Sequence, residues 1–257
     1  MCSSDLGWDK QPKVQLQIRH PGEKFVERHE TSWPLAGTKW TKFHLDPSAH
    51  MLSAENAPQA ASEATYDGFG DGVTFLTPAL HGQTEITGPI AAKLWVSSTT
   101  TDADLFLVVR VFSPDLKEVV FRGALDPHTP VAQGWLRVSH RKLDQKLSLP
   151  YRPYHSHDEI QLLTPGQVYE VDVEVWPTCI VVPAGYRIAL TIRGKDYVYP
   201  GEPGSSENTH GRVWTGVGPF RHDDPRDRPS DVFGGKVCIH AGPDRQSYLL
   251  LPIIPET

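Results

Sequence analysis

The stretch HRKLDQKLSLPYRPYHSHDEI, from His140 to Ile160, gathers three histidines with Asp144, Asp158 and Glu159. Imidazoles and carboxylates at this density can relay protons or ligate a metal. His155 and His157 are two residues apart, a spacing that puts both on one face of a strand, with Asp144 and Asp158 as further donors. Against this, proline breaks the run YRPY just ahead of them, and spacing fixes no third or fourth ligand. The preferred reading is structural. The histidines bond to carbonyls or carboxylates, Tyr151 and Tyr154 pack and use their hydroxyls, and Arg152 offers a planar fork to an acid.

Asp102 and Asp104 in TTTDADLF are a second carboxylate pair, of a kind that can do acid–base work. They are read instead as caps on the turn entering a strand, since aspartate accepts bonds from nearby backbone amides. A nucleophile is harder to find. There is no G-x-S-x-G, and Ser205 and Ser206 in GEPGSSEN sit in a polar loop with no strand before them. His29-Glu30 opens no H-E-x-x-H, because Trp33 stands where the second histidine is needed. The phosphate-loop and dinucleotide fingerprints are also missing.

Cys2, Cys179 and Cys238 form no C-x-x-C, so neither a disulfide framework nor a structural zinc is expected. Cys179 and Cys238 lie in apolar, strand-like stretches and read as small hydrophobes, a bridge between them remaining open. No metal and no cofactor is predicted. The 25 basic against 31 acidic residues give a net charge of −6, which argues against a nucleic-acid backbone as partner. The basic cluster Arg137, His140, Arg141, Lys142 reads as a solvated face. No apolar run reaches the roughly 18 residues of a membrane span. The opening MCSSDLGWDK has no signal-peptide core, which favours the cytoplasm. Residues 1–13 read as a truncated or non-native start, so any secretion signal would precede them.

The elements that must position these residues are strands. VQLQIR alternates from Val14, and TKWTKFHLD follows up to Asp46. Ile90 to Ser97 is β-like, and Leu105 to Phe112 is apolar on both faces, as a covered central strand would be. In YEVDVEVWP, Tyr169, Val171, Val173 and Val175 alternate with acids, one face core and one face solvent. PAGYRIALTIRG turns at Ala184-Gly185, and KVCIH and YLLLPII close the chain. Residues 47–72 read as a loop, and 199–231 as a long loop rich in glycine, proline and charge. Many strands with no βαβ alternation predict an all-β fold, a two-sheet sandwich or jelly roll with long loops.

The series SSTTTDADLFLVVRVF, then GWLRVSHRKLDQKLSLPYRPYHSHDEIQLLTPGQVYEVDVEVWPTCIVVPAGYRIALTI, resembles the C-terminal domain of the Xaa-Pro dipeptidyl-peptidase and cocaine-esterase-like (CocE/NonD) hydrolases. KVCIHAGPDRQSYLLLPIIP resembles that family's closing strands. VQLQIRHPGEKFVERHETSWPLAGTKWTKFHLDP resembles the link by which its catalytic domain enters this module. The resemblance implies a galactose-binding-like jelly roll over 73–257, preceded by a link and first strands over 14–46. It also implies a Ser-Asp-His triad housed in an N-terminal α/β-hydrolase domain, so no catalytic residue carries over to this chain. The expected partner is that domain. Contacts with it, or with its substrate cleft, are expected from Trp135, Tyr151, Tyr154, His155, His157 and Trp176, because aromatics concentrate at interface centres. Standing alone, the module would expose the face its partner covers, and a homo-oligomer is then expected. The rival reading is a free-standing carbohydrate- or ligand-binding β-sandwich, with Trp214 stacking on a sugar ring.

Overall fold

The computed structural model describes residues 7–55, 57–123, 126–201 and 221–255. The strands are β1 (Val14–His20), β2 (Lys24–Glu30), β3 (Lys39–Asp46), β4 (Met51–Ser53), β5 (Ser62–Asp67), β6 (Val73–Leu76) and β7 (Thr84–Ser98). They continue as β8 (Asp104–Phe112), β9 (Ala132–Arg137), β10 (Tyr169–Val182), β11 (Arg187–Arg193), β12 (Lys236–Ala241) and β13 (Tyr248–Ile254). A single turn of helix, α1 (Ser230–Phe233), and short 3₁₀ turns are the other regular elements among the described residues.

The domain is almost all β, and its hydrogen bonds run as one large curled sheet in the order β2-β1-β10-β7-β13-β3-β4-β6-β11-β8-β9. The long strand β7 pairs with β10 on one side, and on the other with β13 and then β12, which in turn pairs with β5. β8 lies between β11 and β9, and nearly all its residues are buried. That is the covered strand its two-faced apolar sequence predicts. Inside the curl, Leu45, Leu52, Phe75, Ile90, Leu94, Leu105, Leu107, Val173, Ile188 and Leu190 are fully buried. Each such side chain contributes about 1.5–3 kcal/mol by leaving water. A satellite cluster of Leu16, Ile18, Leu35 and Val181 seats β1 on β10.

The segment 47–72, read as a loop, carries β4 and β5. Both are short, and β5 gains its place by pairing with β12, a partner far along the chain. Residues 14–46 are likewise part of the sheet, with β3 on β13 and β1 on β10. Cys179 and Cys238 are both free thiols on different strands, so no bridge joins them. Ser205, Ser206 and Trp214 lie outside the described residues. No helix among the described residues is long and apolar enough to cross a membrane.

Two local features shape one end of the curl. In β10 the ladder to β7 slips between Val175 and Thr178. Pro177 has no N–H to give, and a bulge is where a strand tolerates it. The slip leaves both Trp176 and Pro177 facing out, Trp176 at 63% exposure. At the far end of the sheet path, β9 returns against β10, although the two are not ladder partners. Gly134 makes the approach possible, because a Cβ there would fall 2.2 Å from the Glu174 carbonyl oxygen and 2.9 Å from the Val175 Cα.

Candidate functional site

The close approach of β9 to β10 builds a cavity of about 490 Å³. Trp135 and Trp176 form one wall, edge to face with ring centroids 5.2 Å apart. His140, His155 and His157 form another, while Asp104, Arg137, Asp227, Arg228 and His222 lie below, with Glu174 at the side.

The base is a charge network. Asp104, buried at the start of β8, accepts from Arg137 through Nε (2.9 Å) and Nη2 (3.1 Å), and from Arg228 Nε at 2.8 Å. Arg228 also donates to the Gly194 and His222 carbonyls, and its guanidinium sits near the rings of Phe69 and Phe106. Arg137 reaches Asp227 and lies 4.5 Å over Phe233. Within this network the buried Asp104 and Arg228 are thus paired with each other, which burial of ions demands. Asp102 does cap, accepting from the amides of Ala103 and Ser139, whereas Asp104 is an ion-pair centre.

The histidine wall answers the question raised by its sequence. His155 Nε2 lies 3.0 Å from the Asp172 carbonyl, so that nitrogen carries the proton and donates. Burial, with some repulsion from His157 and His140, lowers its pKa despite that bond, which keeps the ring neutral at pH 7. His140 and His157 share a bond between their Nδ1 atoms at 3.1 Å. His157 stands not on a strand but in a loop at φ 52°, uncommon for a residue with a Cβ. The acids of the stretch are used elsewhere. Asp158 and Glu159 both pair with Lys142, and Asp144 caps the turn at Lys146 and Leu147.

His222 also lines the cavity. A hydrogen bond to Asp196 at 3.0 Å raises its pKa above the ordinary histidine range. Burial alone would raise the Asp196 carboxyl, but bonds from the His222 ring and amide and from Trp135 outweigh it and hold that pKa low. Burial shifts Glu174 upward, against the charge of Arg152.

Of the residues expected at an interface or cleft, Trp135, Trp176, His155 and His157 line this cavity together. Tyr151 does not; it stacks flat on Trp40 of β3 at 4.3 Å. Tyr154 is 48% exposed and is not among the lining residues. In the sequence Asp104 is read as a cap and Arg137 as part of a solvated face, while His222 and Arg228 are not singled out. These four come from separate parts of the chain, and their one sequence signal was charge next to apolar strands.

Among the described residues the lining includes no serine, threonine or cysteine. One serine elsewhere does bond to a histidine. Ser97 Oγ is 2.9 Å from His240 Nε2, and His240 Nδ1 is 3.3 Å from Glu63 Oε2. The order of contacts is that of a Ser-His-acid triad. Ser97, however, is in the ladder of β7, 8% exposed, with no strand-to-helix elbow to present it. A serine held in this way is not presented as that elbow presents its nucleophile.

The described residues thus form an almost all-β domain with a buried charge network and an aromatic cavity. The sequence pattern of the X-Pro dipeptidyl-peptidase C-terminal non-catalytic domain matches residues 6–250, and the chain belongs to that family. It is a non-catalytic domain of the CocE/NonD type of serine hydrolase. Cocaine esterase of Rhodococcus sp. is 22% identical over 280 residues, covering 95% of this chain and 42% of that protein. The crystal structure of a CocE/NonD family hydrolase from Staphylococcus aureus superposes with a TM-score of 0.81 at 26% identity, covering 96% of this chain and 42% of the other. An aminopeptidase from a Thaumarchaeota archaeon shares the fold, with a TM-score of 0.60 at 13% identity and the same coverage. The chain spans well under half the length of these relatives.

Proposed function

We propose that this module supports and partly walls the catalytic domain of a serine hydrolase, an α/β-hydrolase domain carried by the same polypeptide. Residues 14–46 are the link from that domain, and the curled sheet is a jelly roll of the galactose-binding-like kind. The observation that carries this reading is the Trp135–Trp176 pair. An indole held at 63% exposure above a cavity with fixed charges is disposed as an interface centre is, not as a core. The relatives' additional length, in proteins named hydrolase and esterase, supports a catalytic partner. The chemistry of that partner is attack by serine on an ester or amide carbonyl, an acyl-enzyme, and water activated by histidine.

Trp176→Ala in a polypeptide carrying both domains tests this. A docking or cleft role lowers kcat/KM on the order of tenfold or more, as loss of an interface anchor does. The isolated chain should keep its stability within about 0.5 kcal/mol, since the side chain is largely exposed. An unchanged kcat/KM contradicts the reading. The same pair of indoles beside carboxylates also suits a sugar ring, which favours the carbohydrate-binding alternative. Saturable binding of a glycan by the isolated chain, lost in Trp176→Ala, would support that alternative instead.

A further inference from the structure

β5, β12 and the end of β7 lie side by side, and their register aligns two rows on the outer face. Thr65, Cys238 and Ser97 are one row, and Glu63, His240 and Trp95 the next. Val237, Ile239 and Ala241 point into the core, so Cys238 and His240 share the half-exposed side of β12. The Cys238 thiol, a His240 ring nitrogen and a Glu63 carboxylate oxygen all lie within 4.8 Å of one another. We propose that Glu63, Cys238 and His240 form a binding site for a divalent cation of the zinc class, through one oxygen, one sulfur and one nitrogen.

Four features support it. First, the donors suit the ion: a borderline-soft cation takes thiolate, imidazole and carboxylate together. Second, the spacing suits it. Metal–ligand bonds of about 2.0–2.3 Å at tetrahedral angles separate neighbouring donors by roughly 3.3–3.8 Å. His240 Nδ1 and Glu63 Oε2 already stand 3.3 Å apart, longer than the 3.0 Å hydrogen bond between His222 and Asp196. Third, His240 is oriented from behind. Its Nε2 can donate to Ser97 Oγ at 2.9 Å, which leaves the Nδ1 lone pair on the side of Glu63, the arrangement that outer partners give metal-binding histidines. Fourth, there is access. A cavity of about 430 Å³, lined by Glu63, His240, Asp244 and Arg245, borders two of the three donors and has room for a water as fourth ligand.

Binding is a ligand exchange with no redox step. The ion sheds water, the Cys238 thiol releases its proton to solvent, and bonds form to sulfur, nitrogen and oxygen. The spacing Cys238-x-His240 puts two donors on one strand face, but Glu63 joins them only through pairing of strands far apart in sequence. The triad-like contact of Ser97 with His240 is then the outer bond of a metal ligand.

The test uses the purified 257-residue chain, stripped with chelator and titrated with zinc alone and with cobalt alone. One equivalent should bind, with cobalt giving the thiolate-to-metal absorption of a sulfur ligand. Cys238→Ser should abolish that absorption. Ser97→Ala should weaken affinity by about 10–100-fold, as loss of an outer-shell partner does. Cys179→Ser should change nothing. Glu63→Gln, at a side chain 64% exposed, guards against variants that misfold and should also weaken binding. No binding, or binding undiminished by both Cys238→Ser and Glu63→Gln, overturns the proposal.

Discussion

Trp135 and Trp176 meet edge to face, 5.2 Å apart at 68°, across two strands that share no ladder. The contact depends on Gly134 immediately before Trp135 and on the bulge that turns Trp176 outward. Aromatic geometry of this kind is worth about 0.5–1.5 kcal/mol beyond area burial. Its larger consequence is positional, because it sets the wall of the cavity.

Gly134→Val should therefore be among the more damaging changes to a strand residue. Its Cβ would overlap the Glu174 carbonyl, and overpacking of this sort costs about 1–3 kcal/mol. Urea unfolding of the chain should show a lower midpoint. An unchanged midpoint would mean that β9 does not press on β10.

Asp104 holds two guanidiniums, and Asp104→Ala would leave buried Arg228 without its carboxylate. Breaking a buried pair from one side costs about 3–5 kcal/mol. Arg228→Met should cost less, because Arg137 still faces Asp104. Denaturant midpoints at equal m-values would compare the two. The reverse order would contradict the network.

The strands that carry alternating or doubly apolar residues were legible in the sequence, and β8 and β10 are the clearest. β2 was not, because KFVERHE is exposed along most of its length and shows no face. β4 and β5 are short, and pairing rather than pattern defines them. The curl of one sheet, as against two stacked sheets, depends on which strand pairs with which, and periodicity carries no such information. At the site, Trp135 and Trp176 could be named because an aromatic in a strand is a visible candidate. Asp104, Arg228 and His222 meet only through the fold. Tyr151 stands apart from the cavity, its ring stacked on Trp40.

Acid should destabilise the domain in a graded way. His155 and His44 have pKa values lowered by burial, with like charge adding to it. Their folded forms take up protons less readily than the unfolded chain, so stability falls as pH drops below about 6.5. His222, raised by Asp196, acts in the opposite sense. Its contribution is full below about 6.5 and lost as pH rises through its higher folded value. Asp196, held low, contributes above about 3.9 and loses that as pH falls through its folded value. Thermal midpoints between pH 7.5 and 5 should fall less in His155→Gln than in the parent chain, and more in Asp196→Asn. Identical slopes in all three would refute these assignments.

The family match makes this a non-catalytic domain. The most direct test of that assignment is hydrolysis by the purified 257-residue chain, against p-nitrophenyl esters and an Ala-Pro dipeptidyl chromogenic substrate, with a serine-reactive phosphonate alongside. No turnover and no labelling are expected. Turnover that the phosphonate abolishes and Ser97→Ala removes would contradict the assignment, and would make Ser97, His240 and Glu63 a working triad.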